Sequence, residues 1–567
     1  MIPEHLSAVR PSGRATAALA LSIAAATALP LAAPQFTRSF VDRAIGGAAP
    51  GVLVAIALGY LGVSLAGQAA RMLTAWLASR LAWDGTNHLR ERLAEHALGL
   101  DMAFHGRHTP GEMIERVDGD VAAVADFVVA FLLDVVAGVL LLAGVLVVVF
   151  TVDVRLGFAL LGYCLVAGFL MARAQRLAVP SAVLARSWDA RLFGGVEERL
   201  AGVEDLRANG AGEHAVRRFH EVSAQVYRTG KRASLVGSSL MAGTSVAFAA
   251  GTALMLGLAA WSRESGALSV GTAVLLFQYT LMVRAPFERL IDQLRHYQAA
   301  LAGFARAGEL LAERPLLPVP AEPRPLPAGA LSLRLDDVAF AYPGHDDSVL
   351  RGVTLELAPG ETLGLVGRTG SGKTTIARLI LRLYDPVSGT VTVGGHDLRH
   401  ADPGQVRRRL CVVTQDVQLF AASIRDNLTL FQSHASDHRL REILDEVGLG
   451  PWLAAQPDGL DTPLGSLSAG EAQLLAFARA FLADPGLVVL DEPSSRLDPA
   501  TERTIERSVG RLLDGRTGVI IAHRLSSLAR VDKIAVVGSG GIVEYGYRQA
   551  LLDDPDSMFA RMIGAAR

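Results

Sequence analysis

Long apolar runs in the first half of the sequence constrain the fold more than any other feature. A helix needs about 20 mostly apolar residues to cross the hydrocarbon core of a bilayer. Roughly six runs of this kind occur before residue 292. They lie near 16–37, 52–72, 127–151, 156–174, 235–261 and 270–291. The front half is therefore predicted to be an all-α membrane domain of six transmembrane helices.

The composition agrees with a chain that lies partly in lipid. Apolar residues make up 51% and charged residues 19%, whereas about a quarter is usual for a soluble protein. The formal net charge of −2 gives no reason to expect a nucleic-acid partner. Cys164 and Cys411 lack metal-ligand spacing, so we interpret them as reduced thiols. The first apolar run is followed by further spans, which indicates a membrane helix and not a cleaved leader.

Short and long connections alternate between the predicted spans. Short loops such as Thr151–Arg155 and Ser262–Leu268 contrast with two charged segments of about 55–60 residues. The long segments are rich in arginine, so the positive-inside rule places them and both termini in the cytoplasm. A Gly or Pro interrupts the helical pattern in Phe104–Val117 and in Leu206–Phe219. Each long segment is predicted as two long helices flanking a short crosswise helix that can touch a cytoplasmic domain; a flexible loop is the disfavoured alternative.

Several ionisable residues in or near the apolar runs allow two interpretations. Asp134 could serve a substrate or a proton, or it could lie in water where the third helix leaves the membrane. His105 and His108 have a spacing that could suit a metal, although a solvated loop is favoured. The sixth run ends with Arg284, Glu288 and Arg289. These three could line a cavity or mark the cytoplasmic end of the helix.

A proline-rich stretch divides the chain. Residues 315–330 contain prolines at 315, 318, 320, 323, 325 and 327, a composition typical of a semi-rigid spacer. Short β-branched runs then alternate with helical patterns, as in an α/β domain. The predicted domains are thus 1–314 in the membrane, 315–330 as linker and 331–567 as an α/β domain.

A phosphate-binding loop begins the chemistry of the α/β domain. Thr362–Val366 has the pattern of a buried strand, and a helical pattern follows the loop. The loop consists of Gly367, Arg368, Thr369, Gly370, Ser371, Gly372, Lys373, Thr374 and Thr375. Its glycines let backbone N–H groups converge on phosphates at the positive end of the helix. Lys373 is predicted to pair with the β- and γ-phosphates, and the Thr374 hydroxyl to ligate Mg²⁺.

An apolar strand that ends in two acids supplies the expected catalytic groups. Leu487–Leu490 is followed by Asp491 and Glu492. Asp491 suits the magnesium shell, and Glu492 is placed to take a proton from the attacking water.

Further motifs resemble those of the ATP-binding cassette (ABC) superfamily, and they occur along the chain in the order that is usual for that family. Tyr342 matches the aromatic residue that stacks on adenine, and Gln415 matches the glutamine that senses magnesium and the membrane domain. Asp498 lies in the D-loop motif, and His523 matches the switch histidine that contacts the γ-phosphate. The signature loop corresponds to Ser468, Ala469, Gly470 and Glu471.

The resemblance implies a bacterial exporter-type half-transporter in the plasma (inner) membrane. Its back half would be a P-loop ATPase domain with a RecA-like core and a helical subdomain, using ATP and Mg²⁺. Each ATP in this family lies between one chain's phosphate loop and the signature loop of a second chain. Ser468 and Gly470 would therefore act in trans on a γ-phosphate. The expected partners are a second half-transporter chain, the lipid bilayer and a small-molecule or lipid-like substrate.

The sequence also departs from the family pattern around the signature loop. Ala469 and Glu471 stand where the family usually has Gly and Gln, and Arg496 stands where a small residue is common. Asp461–Ser466 also runs into the signature loop with fewer residues than usual. Because an added negative charge should weaken a triphosphate site, we expect a heterodimer with one weakened site in preference to a homodimer that tolerates the change.

The leading functional prediction is export of a hydrophobic or amphipathic compound, and other functions compete with it. Import of a siderophore-like or vitamin-like solute uses the same membrane architecture, and the sequence does not separate the two directions. A non-transport ATPase acting on nucleic acid conflicts with the apolar runs, and a channel or regulator conflicts with the intact Glu492.

Overall fold

The structure is a computed structural model that describes residues 13–264, 269–345, 347–432, 435–491, 499–522 and 528–566. The chain packs as two compact units. The first comprises residues 1–98 and 110–313, and the second comprises residues 99–109 and 314–567. The short segment 99–109 thus packs with the second unit although it is flanked by the first. The exact domain boundaries at 314 and 330 stay predictions.

Helices account for the first unit. Six helical segments among its described residues are long and apolar enough to cross a bilayer, and the third of them, Pro110–Val152, comprises several shorter helices. This confirms the predicted all-α membrane domain. The helices from the N-terminus onward are α1 (Gly13–Ile45), α2 (Pro50–Gly99), α4 (Pro110–Ile114), α5 (Asp120–Ala130), α6 (Ala137–Val152), α7 (Val154–Ala201), α8 (Val203–Ala208), α9 (Gly212–Glu264) and α10 (Val270–Ala312). The α3 helix (Met102–His105) belongs to the second unit.

The third spanning helix contains two π-helical turns. Glu115–Gly119 joins α4 to α5, and Phe131–Val136 joins α5 to α6. Such turns insert an extra residue per turn and are frequent at functional sites. A single residue, Asp153, separates α6 from α7, which is shorter than the predicted loop. Its carboxylate accepts hydrogen bonds from Arg155 N at 2.7 Å and Leu156 N at 3.3 Å, which caps α7.

An ion pair between a buried carboxylate and a partly exposed arginine joins α5 to α10. Asp120 is only 2% exposed, and its carboxylate accepts hydrogen bonds from the Arg306 guanidinium at Nε (2.7 Å) and also at Nη2. The hydrogen bond to Asp120 raises the pKa of Arg306, so this arginine stays charged. Gly303 permits the close approach, because a Cβ there would lie 2.7 Å from the Asp120 carbonyl oxygen.

Two sheets and their covering helices form the second unit. The strands are β1 (Leu333–Phe340), β2 (Leu350–Leu357), β3 (Thr362–Val366), β4 (Ser388–Val393), β5 (His396–Asp397), β6 (Leu410–Val413), β7 (Leu487–Asp491), β8 (Thr517–Ile521), β9 (Lys533–Gly538) and β10 (Gly541–Tyr547). The helices are α11 (Lys373–Ile380), α12 (Pro403–Arg409), α13 (Ile424–Thr429), α14 (Asp437–Glu446), α15 (Gly450–Ala454), α16 (Ala469–Ala483), α17 (Pro499–Leu513), α18 (Arg548–Asp553) and α19 (Met558–Ala566).

The topology of the larger sheet positions the site. Its order is β10-β9-β3-β8-β7-β6, and all neighbours are parallel except β10 with β9. The smaller sheet is antiparallel with the order β2-β1-β4-β5. Every residue of β3 is buried, as expected for a central parallel strand covered on both faces. This α/β domain after a helical membrane domain confirms the predicted fold class.

Candidate functional site

The phosphate loop leaves the carboxyl end of β3 and enters α11. Its backbone has positive φ at Gly367 (151°), Gly370 (80°) and Gly372 (107°). Two of these positions are also crowded. A Cβ at Gly367 would lie 2.2 Å from the Val537 carbonyl oxygen, and one at Gly372 would lie 2.5 Å from a Leu350 methyl carbon. The loop therefore needs glycine at these points both for its backbone conformation and for its packing.

Side chains inside the loop are arranged to receive a phosphate. Lys373 is only 5% exposed, and its Nζ donates to the carbonyl oxygens of Gly367 (2.8 Å) and Arg368 (3.0 Å). The Ser371 Oγ is buried and has no hydrogen-bond partner in the described part of the chain. An orphaned hydroxyl and a buried ammonium fit an anionic ligand, which would complete their hydrogen bonds. Thr374 is exposed on the first turn of α11, so its hydroxyl is open to a metal ion.

Tyr342 stands just after β1 and is held by four neighbours. Its ring packs edge to face on Phe340, at 4.9 Å between centroids, and on Tyr384, at 5.3 Å. Its hydroxyl shares a 3.1 Å hydrogen bond with the Thr375 hydroxyl and accepts a 3.0 Å bond from Arg378. Thr375 therefore ties the orientation of this ring to the first helical turn after the phosphate loop.

The sheet brings two further predicted residues to the same edge. Asp491 ends β7, and Gln415 follows β6 by two residues. Because β3, β8, β7 and β6 are parallel, their carboxyl ends meet at one edge of the sheet, where ligands bind in open α/β folds. Three predicted residues, Glu492, Asp498 and His523, lie outside the described residues.

The signature loop forms the start of α16. Ser468 is the N-cap, and its Oγ accepts a hydrogen bond from Glu471 N at 3.3 Å. The Glu471 carboxylate accepts in return from Ser468 N and Ser468 Oγ, both at 2.8 Å. This reciprocal capping box engages the serine hydroxyl within its own chain. Ala469 is exposed and Gly470 is buried.

Comparisons with known proteins agree with this geometry. The family model described as ABC transporter matches residues 350–495, and the one described as ABC transporter transmembrane region matches residues 16–287. The Cyclolysin secretion/processing ATP-binding protein CyaB of Bordetella pertussis is 31% identical over 537 residues, which cover 92% of this chain and 74% of CyaB. The chain belongs to the ABC transporter family.

Two further similarities extend along nearly the whole ABC transporter chain. The ATP-dependent lipid A-core flippase of Chromobacterium violaceum is 29% identical over 566 residues, which cover 96% of this chain and 93% of the flippase. A solved bacterial Atm1-family ABC exporter with ATP bound has a TM-score of 0.79 and 24% identity, with 98% of each chain covered. The chain is thus an exporter-type half-transporter, a multi-pass membrane protein with an ATP-binding domain that drives transport.

The segment 99–109 of this ABC half-transporter packs beside the Tyr342 cluster. Tyr384 OH donates to the Met102 carbonyl oxygen at 3.1 Å, and burial raises the pKa of this phenol. Asp101 caps α3 by accepting from Ala103 N and Phe104 N, both at 3.1 Å. Its second oxygen accepts from Leu316 N and, at 3.3 Å, from Leu317 N. One carboxylate therefore joins α3 to the proline-rich linker.

Sequence reasoning missed three residues of this site and one property of a fourth. Arg378 and Tyr384 were overlooked because only the folded chain brings them to Tyr342. Asp101 carries a recognisable signal, since Asp before a short helical run favours an N-cap, but its contact with the linker spans more than 200 residues. The orphaned hydroxyl of Ser371 was not foreseen, although the residue itself was predicted to bind ATP.

The residues that the sequence left ambiguous acquire contacts. His108 stacks on Phe104 with 4.4 Å between ring centroids, and no metal-binding group of three His, Cys, Asp or Glu side chains occurs among the described residues. Arg284 donates to Glu288 at 2.6 Å and to Ser245 at 3.2 Å. Asp134 accepts from Gln293 at 2.9 Å and from Arg289 at 3.4 Å.

Proposed function

We propose that this chain binds and hydrolyses ATP with Mg²⁺ to export a hydrophobic or amphipathic compound across a bacterial inner membrane. The observation that carries the proposal is the phosphate loop, in which a buried Lys373 and an orphaned Ser371 hydroxyl face one edge of the sheet together with Asp491 and Gln415. The similarity over nearly the full length to named exporters supports the same function.

Each residue of the site has a distinct proposed task. Tyr342 stacks on adenine, and the loop from Gly367 to Thr375 binds the phosphates through its backbone N–H groups. Lys373 moves from the two carbonyl oxygens to the β- and γ-phosphates. Thr374, Gln415 and Asp491 would hold Mg²⁺, which neutralises phosphate charge when bound.

The hydrolytic step depends on residues that follow the strands. Glu492 takes a proton from the attacking water as that water approaches the γ-phosphorus. His523 contacts the γ-phosphate, and Asp498 belongs to the D-loop beside it. These roles come from the family resemblance and are the first to be tested by substitution.

The relatives support the proposed direction of transport and the proposed class of substrate. A lipid A-core flippase and a secretion protein are among them, so import is not favoured. An outward-moving amphipathic or lipid-like compound is the substrate class that fits these relatives. Both termini and the ATPase domain face the cytoplasm, because the arginine-rich connections belong on that side.

Two chains are needed to complete two ATP sites. Ser468 and Gly470 act in trans on the γ-phosphate of a second chain, and Ala469 and Glu471 alter that contact. A heterodimer, in which a partner supplies an unaltered signature loop to this chain's Glu492, accounts for the altered signature better than a homodimer.

The test is Mg²⁺-dependent ATPase activity of the full chain in lipid nanodiscs, with its oligomeric mass and with Glu492→Gln beside the wild type. A monomeric or nearly inactive chain that gains activity with a second half-transporter supports the heterodimer. A dimeric, active chain that is silenced by Glu492→Gln refutes the heterodimer while supporting ATPase function. Full activity of the Glu492→Gln variant would refute the catalytic role of Glu492.

A further inference from the structure

A cavity of about 250 Å³ lies inside the second unit, where the segment 99–109 meets the α/β domain. Arg107 lines it from the segment 99–109, Arg378 lines it from α11, and His345 lines it from the turn that follows β1. Residues 367–375, all of which the structure describes, do not line it. The cavity is therefore separate from the phosphate loop that would receive a triphosphate.

The ionisable side chains of the wall favour an anion. Two guanidinium groups and one imidazole line the cavity, and none of the lining residues that the structure describes is Asp or Glu. The neighbouring carboxylates are engaged elsewhere, since Asp101 accepts from the backbone of α3 and of the linker, and Asp385 accepts from Arg382 at 3.3 Å. Asp347 is exposed and does not line the cavity. Because like charges in one cavity repel each other, a bound anion would offset that cost.

Both arginines are held in place and keep donors for a ligand. Arg107 donates from Nε to the Ala103 carbonyl oxygen at 3.1 Å, and Arg378 donates from Nη1 to the Tyr342 hydroxyl at 3.0 Å. Neither arginine forms an ion pair with any residue that the structure describes. Because a guanidinium group has five N–H donors, most of each fork stays available. The existing hydrogen bonds limit the side-chain entropy that binding would cost.

The size of the cavity suits a small oxyanion. Sites for drug-sized ligands occupy about 300–1,000 Å³, and this cavity is smaller. Tyr342 and Tyr384 complete the wall, and their hydroxyls already bind the Thr375 hydroxyl and the Met102 carbonyl oxygen. A ligand would therefore meet chiefly nitrogen donors. A phosphate group matches them, since its oxygens are strong acceptors that form paired hydrogen bonds with arginine.

We propose that this cavity binds a phosphate-type oxyanion that bridges Arg107 to Arg378, with His345 donating a further hydrogen bond. The ligand is either free inorganic phosphate or the phosphate group of a small metabolite. An occupied site pins the segment 99–109 beside Tyr342, because the anion joins that segment to α11. This site is additional to the proposed ATP site and does not depend on the proposed export function.

The test measures binding of radiolabelled inorganic phosphate to the full chain in a neutral detergent, with the phosphate loop saturated by Mg²⁺ and a nonhydrolysable ATP analogue. Phosphate should bind saturably. Arg107→Ala and Arg378→Ala should each weaken binding at least about tenfold, the equivalent of one charge-assisted hydrogen bond. Arg107→Lys should weaken it less, because lysine keeps the charge and loses the paired geometry. Competition by glycerol 3-phosphate would assign the site to phosphate monoesters, and its absence would assign the site to free phosphate.

Amide hydrogen exchange supplies a second readout that is specific to a bridge. The amides of Gly106 and Arg107 donate to the Met102 and Phe104 carbonyl oxygens at 2.8 and 3.0 Å. Phosphate at ten times its Kd should slow exchange at these amides about tenfold, if local opening destroys the site. The slowing should vanish in Arg378→Ala, although Arg378 belongs to another element. Slowing that persists in Arg378→Ala would overturn the bridge.

Arg351→Ala provides the matched control. Arg351 is exposed, lies in β2 of the same unit and does not line the cavity, so its removal should leave phosphate binding unchanged. Equal losses in Arg351→Ala and Arg107→Ala, or equal slowing of exchange by chloride at the same ionic strength, would mean charge screening alone and would overturn the site. Phosphate binding that disappears when the ATP analogue is added would mean that the cavity holds only the nucleotide, which also overturns the proposal.

Discussion

The Asp101 carboxylate is the point where a single substitution should loosen the join between α3 and the linker. It accepts four backbone hydrogen bonds, two from the first turn of α3 and two from Leu316 and Leu317. An N-cap contributes about 1 kcal/mol to local stability. Each hydrogen bond from a linker amide to the charged oxygen contributes about 1 kcal/mol, at the low end because Leu316 is exposed. Asp101→Ala should therefore cost about 2–3 kcal/mol of local stability.

That loss predicts a measurable change in amide hydrogen exchange. A cost of about 2–3 kcal/mol raises the local opening equilibrium about 30- to 150-fold. In Asp101→Ala, exchange should accelerate by that factor at Ala103, Leu316 and Leu317. Asp101→Asn should separate the two halves of the join. Asparagine keeps one acceptor oxygen and is an equally good N-cap, so Ala103 stays protected. Its amide group cannot accept from the linker, so both linker bonds are lost at about 2 kcal/mol together, and Leu316 and Leu317 should exchange about 30-fold faster.

The matched control is Asp153→Ala. Asp153 caps α7 through Arg155 N and Leu156 N in the same way. Its substitution should accelerate exchange at residues 155–156 and leave the linker unchanged. If Asp101→Ala leaves Leu316 and Leu317 as protected as in the wild type, the carboxylate does not hold the linker and the reasoning is wrong.

Three further predictions concern the ATPase domain. Ser371→Ala removes a buried hydroxyl that lacks a partner among the described residues, so it should raise the unfolding temperature measured without nucleotide. The same substitution should weaken ATP binding about tenfold in a nucleotide titration. A lower unfolding temperature together with weaker ATP binding would contradict the argument from the unpaired hydroxyl. Tyr384→Phe should lose the hydrogen bond to the Met102 carbonyl oxygen, which lowers local stability by about 1 kcal/mol. Amide exchange in α3 should then accelerate while ATP binding persists. Unchanged exchange in α3 would argue against the hydrogen bond. Burial raises the pKa of the Cys411 thiol to about 11. In a Cys164→Ser background, only about 0.1% of this thiol is therefore thiolate at pH 8, and its alkylation should accelerate about tenfold per pH unit toward pH 11. Fast alkylation at pH 8 would contradict the raised pKa.

Sequence periodicity was sufficient for the broad architecture. Apolar runs of about 20 residues predicted the six spans because lipid imposes both length and composition on a spanning helix. The phosphate loop was predictable because glycine is required at fixed positions, such as Gly372, where φ is 107°. The two π-helical turns, one of which contains Asp134, were not predictable, since their extra residue leaves no compositional signal. Likewise, no local pattern reveals that Tyr384 and Tyr342 pack together across 42 positions of the chain.

The signature loop shows why a charge in the sequence is not yet a charge in the site. Sequence reasoning treated Glu471 as an added negative charge close to a triphosphate. In the structure that carboxylate is turned toward its own helix end, where it accepts from Ser468 N and Ser468 Oγ. A carboxylate at a helix N-terminus is stabilised by the helix dipole and by the unpaired N–H groups of the first turn. It thereby occupies the same donors that would otherwise face a phosphate. The expected weakening of the trans contact thus gains a second physical cause. In the proposed dimer, Glu471 would therefore both repel a phosphate and compete with it for the Ser468 hydroxyl. That competition depends on hydrogen-bond geometry that the residue types alone do not reveal.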